Sequence, residues 1–325
     1  MVTAVQYESV FSQWAPDHHN GLSNHLPMAI LALIRLGANE QDIEEFSKLY
    51  CRQLDPLQEI PAQILTKQEL LSLIGKGEKF YQVQFTFDHL IQKNGAEDTL
   101  RTWLPILCTG PSTRAFHPLI RLGYALQFQL NSEVAHALAD WLVHLVSYPW
   151  PNNHHSSHPG SLESLISDLQ NKRQSFQPIT HRLIDDELRA VTLFPEYQSL
   201  VLQPGTSDLN LADMQKVALS WYIQSHDFCA LHAITGGYAF NMTIPYLENP
   251  YFAIKTFWLS LVLAYLSRSP VDTKEKTSIS TDLSTLKSKA IASMDAHTIK
   301  LADICLQQYE MTGDIKYLEA AWTRI

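Results

Sequence analysis

Near the C-terminus, in MDAHTIKLADICLQQYEMTGD (294–314), His297 and Lys300 stand three residues apart. Ile299, Leu301, Ile304, Cys305 and Tyr309 give this stretch an apolar helical stripe. Helical spacing puts His297 and Lys300 on nearly the same face, one turn apart. Three more histidines lie in or at the mouth of apolar helical stretches: His25 in LSNHLPMAI, His117 in RAFHPLIRLGYAL and His232 in HDFCALHAITGGYAF. Taken singly, each reads as a core histidine with one backbone or hydroxyl partner. Taken together they raise a larger demand, because a buried polar group without a partner costs roughly 1–3 kcal/mol. One metal ion satisfies all four rings at once, and imidazole suits zinc, copper, iron and nickel. The spacing leaves both readings open, since the four are far apart in sequence and form no HExxH-type signature.

Lys300 sharpens the metal reading. An ammonium beside a metal is repelled by it, but a buried lysine is readily pushed toward the neutral amine. A neutral amine reacts with carbon dioxide to give a carbamate, an anionic oxygen ligand. An ordinary lysine at the edge of a stripe would instead extend its ammonium to the surface. Other candidates carry less. His154, His155 and His158 sit in the polar stretch YPWPNNHHSSHPGS (148–161), and His18 and His19 precede the first strong helix. The polar stretch 148–161 reads as a solvated loop. Phe116, Tyr124, Trp141, Phe228, Tyr238 and Trp258 are candidates to wall a pocket for a flat substrate, though most read first as plain core. His226 and Asp227 are the nearest candidates for a general base beside His232, or for support of it as a ligand.

The elements that must place these groups are helical almost throughout. Helices are expected at 26–37, 39–54, 66–75, 81–95, 95–110, 112–130, 132–148, 160–171, 181–193, 210–225, 226–240, 250–267, 281–311 and 314–323. Pro27 sits near a start and Gly37 just past an end. Thr66 and Glu69 have capping-box spacing. The alternation in YQVQFTFDHL would also allow a strand, but its neighbours are helices. Twelve glycines in 325 residues and the lack of hairpin signals argue against a sandwich or barrel. Loops are expected at 148–161 and 268–280, with no repeat strong enough for a solenoid. The expectation is a single all-α domain over 1–325, with a dozen or more helices around a buried site.

Composition narrows the function classes. The chain is 46% hydrophobic and 18% charged, with a net charge of −9. The charged share is below the usual value of about 25%, which suits a large core. No basic cluster supports nucleic-acid binding. Cys51, Cys108, Cys229 and Cys305 are dispersed, with no CxxC, so a thiolate zinc site is not expected and a reducing compartment is. The N-terminus has no signal-peptide pattern, and YFAIKTFWLSLVLAYL (251–266) is too short to span a membrane and carries Lys255. The expected location is the cytoplasm. Neither GxGxxG nor GxxxxGK[ST] occurs, so no nucleotide motif speaks for or against an NADPH requirement.

Four stretches together resemble the questin oxidase-like family: SNHLPMAILALIRLGA (23–38), AFHPLIRLGYALQFQ (115–129), DFCALHAITGGYAF (227–240) and DAHTIKLADICLQQYEMTGDIKYLEAA (295–321). They occur in the family's order and run nearly end to end. The resemblance implies an all-helical fold and an oxygenase that opens rings of anthraquinone-like aromatics, using dioxygen and a small aromatic substrate. It implies non-haem Fe(II) held by His25, His117, His232, His297 and a carbamylated Lys300. Two other readings stay open: a metal-free Baeyer–Villiger-type oxygenase in which the histidines are bases, and an inactive helical binding or scaffold protein.

Overall fold

The four histidines dictate which helices matter. The computed structural model describes residues 2–19, 21–58, 63–153, 155–176, 181, 183–205, 209–268 and 280–325. In these residues sixteen α-helices account for nearly all regular structure. They are α1 (Glu8–Phe11), α2 (Leu26–Leu36), α3 (Glu40–Tyr50), α4 (Lys67–Ser72), α5 (Phe80–Asn94), α6 (Ala96–Leu107), α7 (His117–Phe128) and α8 (Asn131–His144). The second half of the chain supplies α9 (Leu162–Arg173), α10 (Ile184–Val191), α11 (Leu211–Ser225), α12 (Phe228–Thr243), α13 (Tyr251–Leu266), α14 (Leu283–Ala292), α15 (Ala296–Thr312) and α16 (Lys316–Trp322). Four strands of two residues each pair as β1 (Asp17–His18) with β2 (Leu22–Ser23) and β3 (Ser157–His158) with β4 (Gln203–Pro204). The fold is all-α and forms one compact domain. The stretch 80–94 is helix, not strand.

Four helices close a ring: α2 packs on α7, α7 on α12, α12 on α15, and α15 back on α2. Each carries one of the four histidines at or near its N-terminus. His25 is the residue before α2, His117 opens α7, His297 is second in α15, and His232 is fifth in α12. Side chains lean toward the N-terminal end of their helix, so all four rings point out of the ring's same end. To bring four N-termini together the chain must return between each pair. Helices α3–α6, α8–α11 and α13–α14 make those returns and wrap the ring.

The ring is drawn tight where α7 meets α12. A Cβ on Gly123 would stand 2.7 Å from the Ala239 Cβ, and one on Gly236 would stand 2.9 Å from the Phe116 ring. Either glycine replaced by a larger residue would push α12 off the element that carries His117. The core around this seam includes Leu119, Ile120, Leu122, Leu231, Phe240, Phe257 and Leu301, all buried.

Two expected helices are corrected. The helix expected over 112–130 begins only at His117. Arg114, Ala115 and Phe116 before it have φ of 51°, 54° and 66°, a left-handed run that no right-handed helix can include. The helix expected over 281–311 is two helices, α14 and α15. Met294 is left-handed at φ 50°, and Asp295 turns extended to cap the new start. The loop expected at 268–280 lies, over 269–279, outside the described residues. No helix among the described residues is long and apolar enough to cross a membrane.

Candidate metal centre

Each histidine is delivered by a short, hydrogen-bonded entry into its helix. Before α2, the Asn24 side chain accepts from Leu26 N–H at 2.9 Å and donates to the Ala15 carbonyl at 3.0 Å. The His25 N–H donates to the Tyr50 hydroxyl at 3.0 Å. Asp227 caps α12 by accepting from the N–H groups of Cys229 and Ala230 at 2.8 and 3.1 Å. Asp295 caps α15 by accepting from Thr298 N–H and Oγ1–H, both at 2.7 Å, and it also receives Arg324 at 3.1 Å. These are N-caps of the usual chemistry. They also engage both capping carboxylates with donors of their own.

The entry to α7 is different, because it holds a strained backbone. The Asp185 carboxylate accepts from Arg114 N–H at 2.7 Å and from Ala115 N–H at 3.0 Å. Non-glycine residues in the left-handed region cost about 1–3 kcal/mol each, so such a run persists only where its surroundings fix it. The Arg114 guanidinium donates to Asp17 at 3.0 Å, to Ser23 Oγ at 3.4 and 3.3 Å, and to the Gly21 carbonyl at 3.4 Å. It thereby ties the turn before His117 to the turn before His25.

The rings form a closed circuit in the order of the helices. His25 and His117 lie nearly parallel, with centroids 4.5 Å apart. His117 meets His232 at 4.8 Å, His232 meets His297 at 5.3 Å, and His297 meets His25 at 4.5 Å. One nitrogen from each of His25, His117 and His297 lies within 4.8 Å of the others. His232 falls outside that tightest set of three and closes the circuit from the α12 side.

Two hydrogen bonds decide which nitrogen faces inward. His117 donates from Nδ1 to the Arg114 carbonyl, and His232 donates from Nδ1 to the Phe228 carbonyl at 2.7 Å. Both rings thus carry the proton on Nδ1 and keep the Nε2 lone pair, which is how metal-binding histidines are oriented. The Nε2 atoms of His117, His232 and His297 are buried without a hydrogen-bond partner, and so is Lys300 Nζ.

The electrostatics follow from burial. Burial pushes all four imidazoles below their ordinary range, and the nearby Lys300 charge pushes each further; His232 falls to about 3. Burial likewise pushes Lys300 down to about 7, with Asp295 opposing. Four neutral imidazoles and a near-neutral amine therefore face one another. The donor set fits a divalent ion that accepts nitrogen ligands, and the four stranded nitrogens are a cost that such an ion would remove.

The questin oxidase-like family model matches residues 22–303. The chain belongs to the questin oxidase-like family. The matched span contains His25, His117, His232, His297 and Lys300. A comparison with curated proteins finds no match.

In this questin oxidase-like protein the remaining candidates separate cleanly. Of the six aromatic residues, Phe228 touches the centre: its ring lies 4.5 Å from His232 and 4.6 Å from His297. Tyr124 instead donates to Asp303 at 2.8 Å, and Trp141 to the Gly110 carbonyl at 2.9 Å. Phe116 packs on Phe257, and Tyr238 is buried core. Trp258 lines a separate groove of about 640 Å³ between α9, α11 and α13, which none of the five site residues lines. Asp227 supports the helix that carries His232. His158 is bound to Asp168 at 2.8 Å, on β3. Sequence reasoning passed over Arg114, Asp185 and Tyr50. Asp295 was missed as well, because an unbroken helix was expected over 281–311, although its Asp-x-x-Thr spacing could have marked a helix start; Asp185 acts on another segment's backbone and leaves no local signal.

Proposed function

We propose that this protein is a non-haem iron-dependent oxygenase acting on an aromatic, quinone- or polyketide-like substrate. Iron(II) would be held by His25, His117, His232, His297 and a carbamylated Lys300. The observation that carries the reading is the meeting of four neutral imidazoles and a buried, unpartnered lysine at the N-terminal ends of four helices, in a chain of this family. Bound there, iron would supply the binding and activation of dioxygen.

The chain's own residues have definite parts in this proposal. The carbonyls of Arg114 and Phe228 hold His117 and His232 in the tautomer that offers Nε2. Lys300, close to neutrality at physiological pH, adds through Nζ to carbon dioxide. The N–C bond forms, one proton leaves to solvent, and an anionic oxygen results. That anion offsets cationic charge at the centre, while Asp227 and Asp295 are engaged in helix caps. The four free, dispersed thiols support a cytoplasmic location. A need for NADPH, if found, would reflect reduction of the substrate outside the chain's own motifs.

The test is elemental analysis of protein purified without a metal-affinity tag, together with a density map at Lys300. About one equivalent of iron and planar density on Nζ are expected for a mononuclear centre. Lys300→Ala should lose the iron and the aerobic turnover of hydroxyanthraquinones; iron retained at wild-type stoichiometry in that variant sinks the five-ligand reading. One observation favours a second reading. The Lys300 amine, pushed down to about 7, is suited to removing a phenolic proton without a metal. Turnover that survives a strong chelator would select that metal-free route.

A further inference from the structure

Phe228 is the first residue of α12 and is 43% exposed. The other Phe rings packed around this part of the fold, Phe116, Phe240 and Phe257, are at most 1% exposed. Phe228 is not a loose surface ring. One side of it meets two of the four imidazoles, edge-on to His232 at 70° and tilted against His297 at 59°. The other side meets water. The exposed residue is thus packed on two imidazoles whose Nε2 atoms are buried without a hydrogen-bond partner.

Its position on the helix makes that cover movable. At the first helical residue the side chain leans back past the helix end, where no preceding turn of α12 restricts χ1. Its backbone is held independently: the carbonyl accepts from His232 Nδ1, and Asp227 caps the next two N–H groups. The ring can turn without disturbing the residue's part in orienting His232. An aromatic face on the solvent side also suits a flat aromatic ligand, since offset or edge-to-face ring pairs add to area burial.

We propose that Phe228 is the substrate-contacting, specificity-determining residue of this centre: it screens His232 and His297 from solvent, and turns aside to pack against the ring of a flat aromatic substrate. The substrate class rests on the oxygenase reading above; the cover does not. Access to the centre then runs over the N-terminus of α12, beside the half-buried His297.

The test needs neither iron nor oxygen. Metal-free protein is treated with diethyl pyrocarbonate, which acylates unprotonated imidazole nitrogens, and modification is followed residue by residue by peptide mass mapping. Phe228→Ala should raise the acylation rates of His232 and His297 at least about fivefold, while those of His89 on α5 and His158 on β3 stay unchanged. Phe228→Leu, which keeps an apolar cover, should restore wild-type rates and also control for misfolding. Unchanged rates at His232 and His297 in Phe228→Ala overturn the cover. Binding of 1,8-dihydroxyanthraquinone, measured by absorbance titration, reads the second part. Affinity should fall at least about tenfold in both Phe228→Ala and Phe228→Leu, because neither offers a ring. Equal affinity in all three proteins overturns the substrate contact. Faster acylation in Phe228→Ala together with no dye binding by the wild type would leave the cover standing and remove the aromatic substrate class.

Discussion

Lys300 and Asp303 stand one turn apart on α15, both about 1% exposed, and their surroundings are opposite. Asp303 is met by the Arg35 guanidinium, with Nε at 2.9 Å and a second bond from Nη2, and by the Tyr124 hydroxyl at 2.8 Å. Arg35 also lies over the Tyr124 ring at 4.9 Å. This is a buried charge with its partners supplied, and it pins α15 to α2. Lys300 has no hydrogen-bond partner and faces four imidazoles. Elsewhere the same contrast recurs, since Arg121 and Glu133 are paired through two bonds at 2.7 and 3.1 Å. A buried charge costs folding energy unless paired. Where this protein uses buried charge to hold itself together, it pairs the charge; around Lys300 it accepts the cost, and that marks the place reserved for chemistry.

The largest effect expected from this contrast is in acid. In metal-free protein the four imidazoles titrate below 6.5 when folded and near 6.5 when unfolded. Above pH 6.5 both states are neutral, and the full stability is present. As pH falls, the unfolded chain takes up protons that the folded chain refuses, so stability is lost. For His232 the window runs from 6.5 down to about 3, a loss on the order of several kcal/mol from this one group. Urea titrations of metal-free protein between pH 7 and pH 4 should show a steep fall that His232→Gln reduces. A fall of equal size in that variant would mean the ring is not held neutral.

Breaking a paired charge should come next. Arg35→Ala leaves Asp303 buried with only the Tyr124 hydroxyl, and a loss of about 3–5 kcal/mol is expected. Denaturant unfolding reads it directly. Lys300→Met should do the reverse in metal-free protein, stabilising it by about 1–3 kcal/mol at pH 7, because an apolar chain replaces a stranded amine. The sign has a pH signature. Lys300 titrates near 7 when folded and near 10.5 when unfolded. Its contribution is unfavourable at low pH, and stability rises as pH goes from about 7 to 10.5, the range in which the unfolded chain still holds the proton. Lys300→Met should lack that rise. A destabilised Lys300→Met with the wild-type pH profile would put Lys300 among the structural charges with Asp303.

How much of this was legible depends on where the signal lives. His25, His117, His232, His297 and Lys300 could be singled out because each sits against an apolar helical pattern that is local in sequence. The helices themselves were legible for the same reason. The two misjudged helices, 112–130 and 281–311, failed at Arg114–Phe116 and at Met294–Asp295. The first break directly precedes His117 and the second stands one residue, Ala296, before His297, and neither contains a glycine or proline that would have announced it. Arg114 and Ala115 turn left-handed because Asp185, some seventy residues later, accepts both their N–H groups. Information of that kind is tertiary, and it is spent at the site, where local propensity is overridden.

Asp185 therefore gives the finest test of the contrast, because it is a buried carboxylate on the structural side of the divide that acts on the chemical side. Burial pushes it up, while the two N–H groups and Arg114 pull it down. Asp185→Asn keeps the shape and one acceptor oxygen but brings an NH₂ group toward one of the two N–H donors. The left-handed turn should loosen by about 1 kcal/mol, the scale of a lost hydrogen bond. The Arg114 carbonyl that fixes the His117 tautomer would move with it. Global stability should change little, yet affinity for a divalent probe such as Co(II) should fall about 10–100-fold, as it does when a ligand's supporting bond is removed. Arg35→Ala should show the converse, a large stability loss with Co(II) affinity preserved in the fraction still folded. If Asp185→Asn lost stability and kept its Co(II) affinity, the turn before His117 would belong to the scaffold alone, and the boundary between the two kinds of buried charge would have to be drawn closer to the imidazoles.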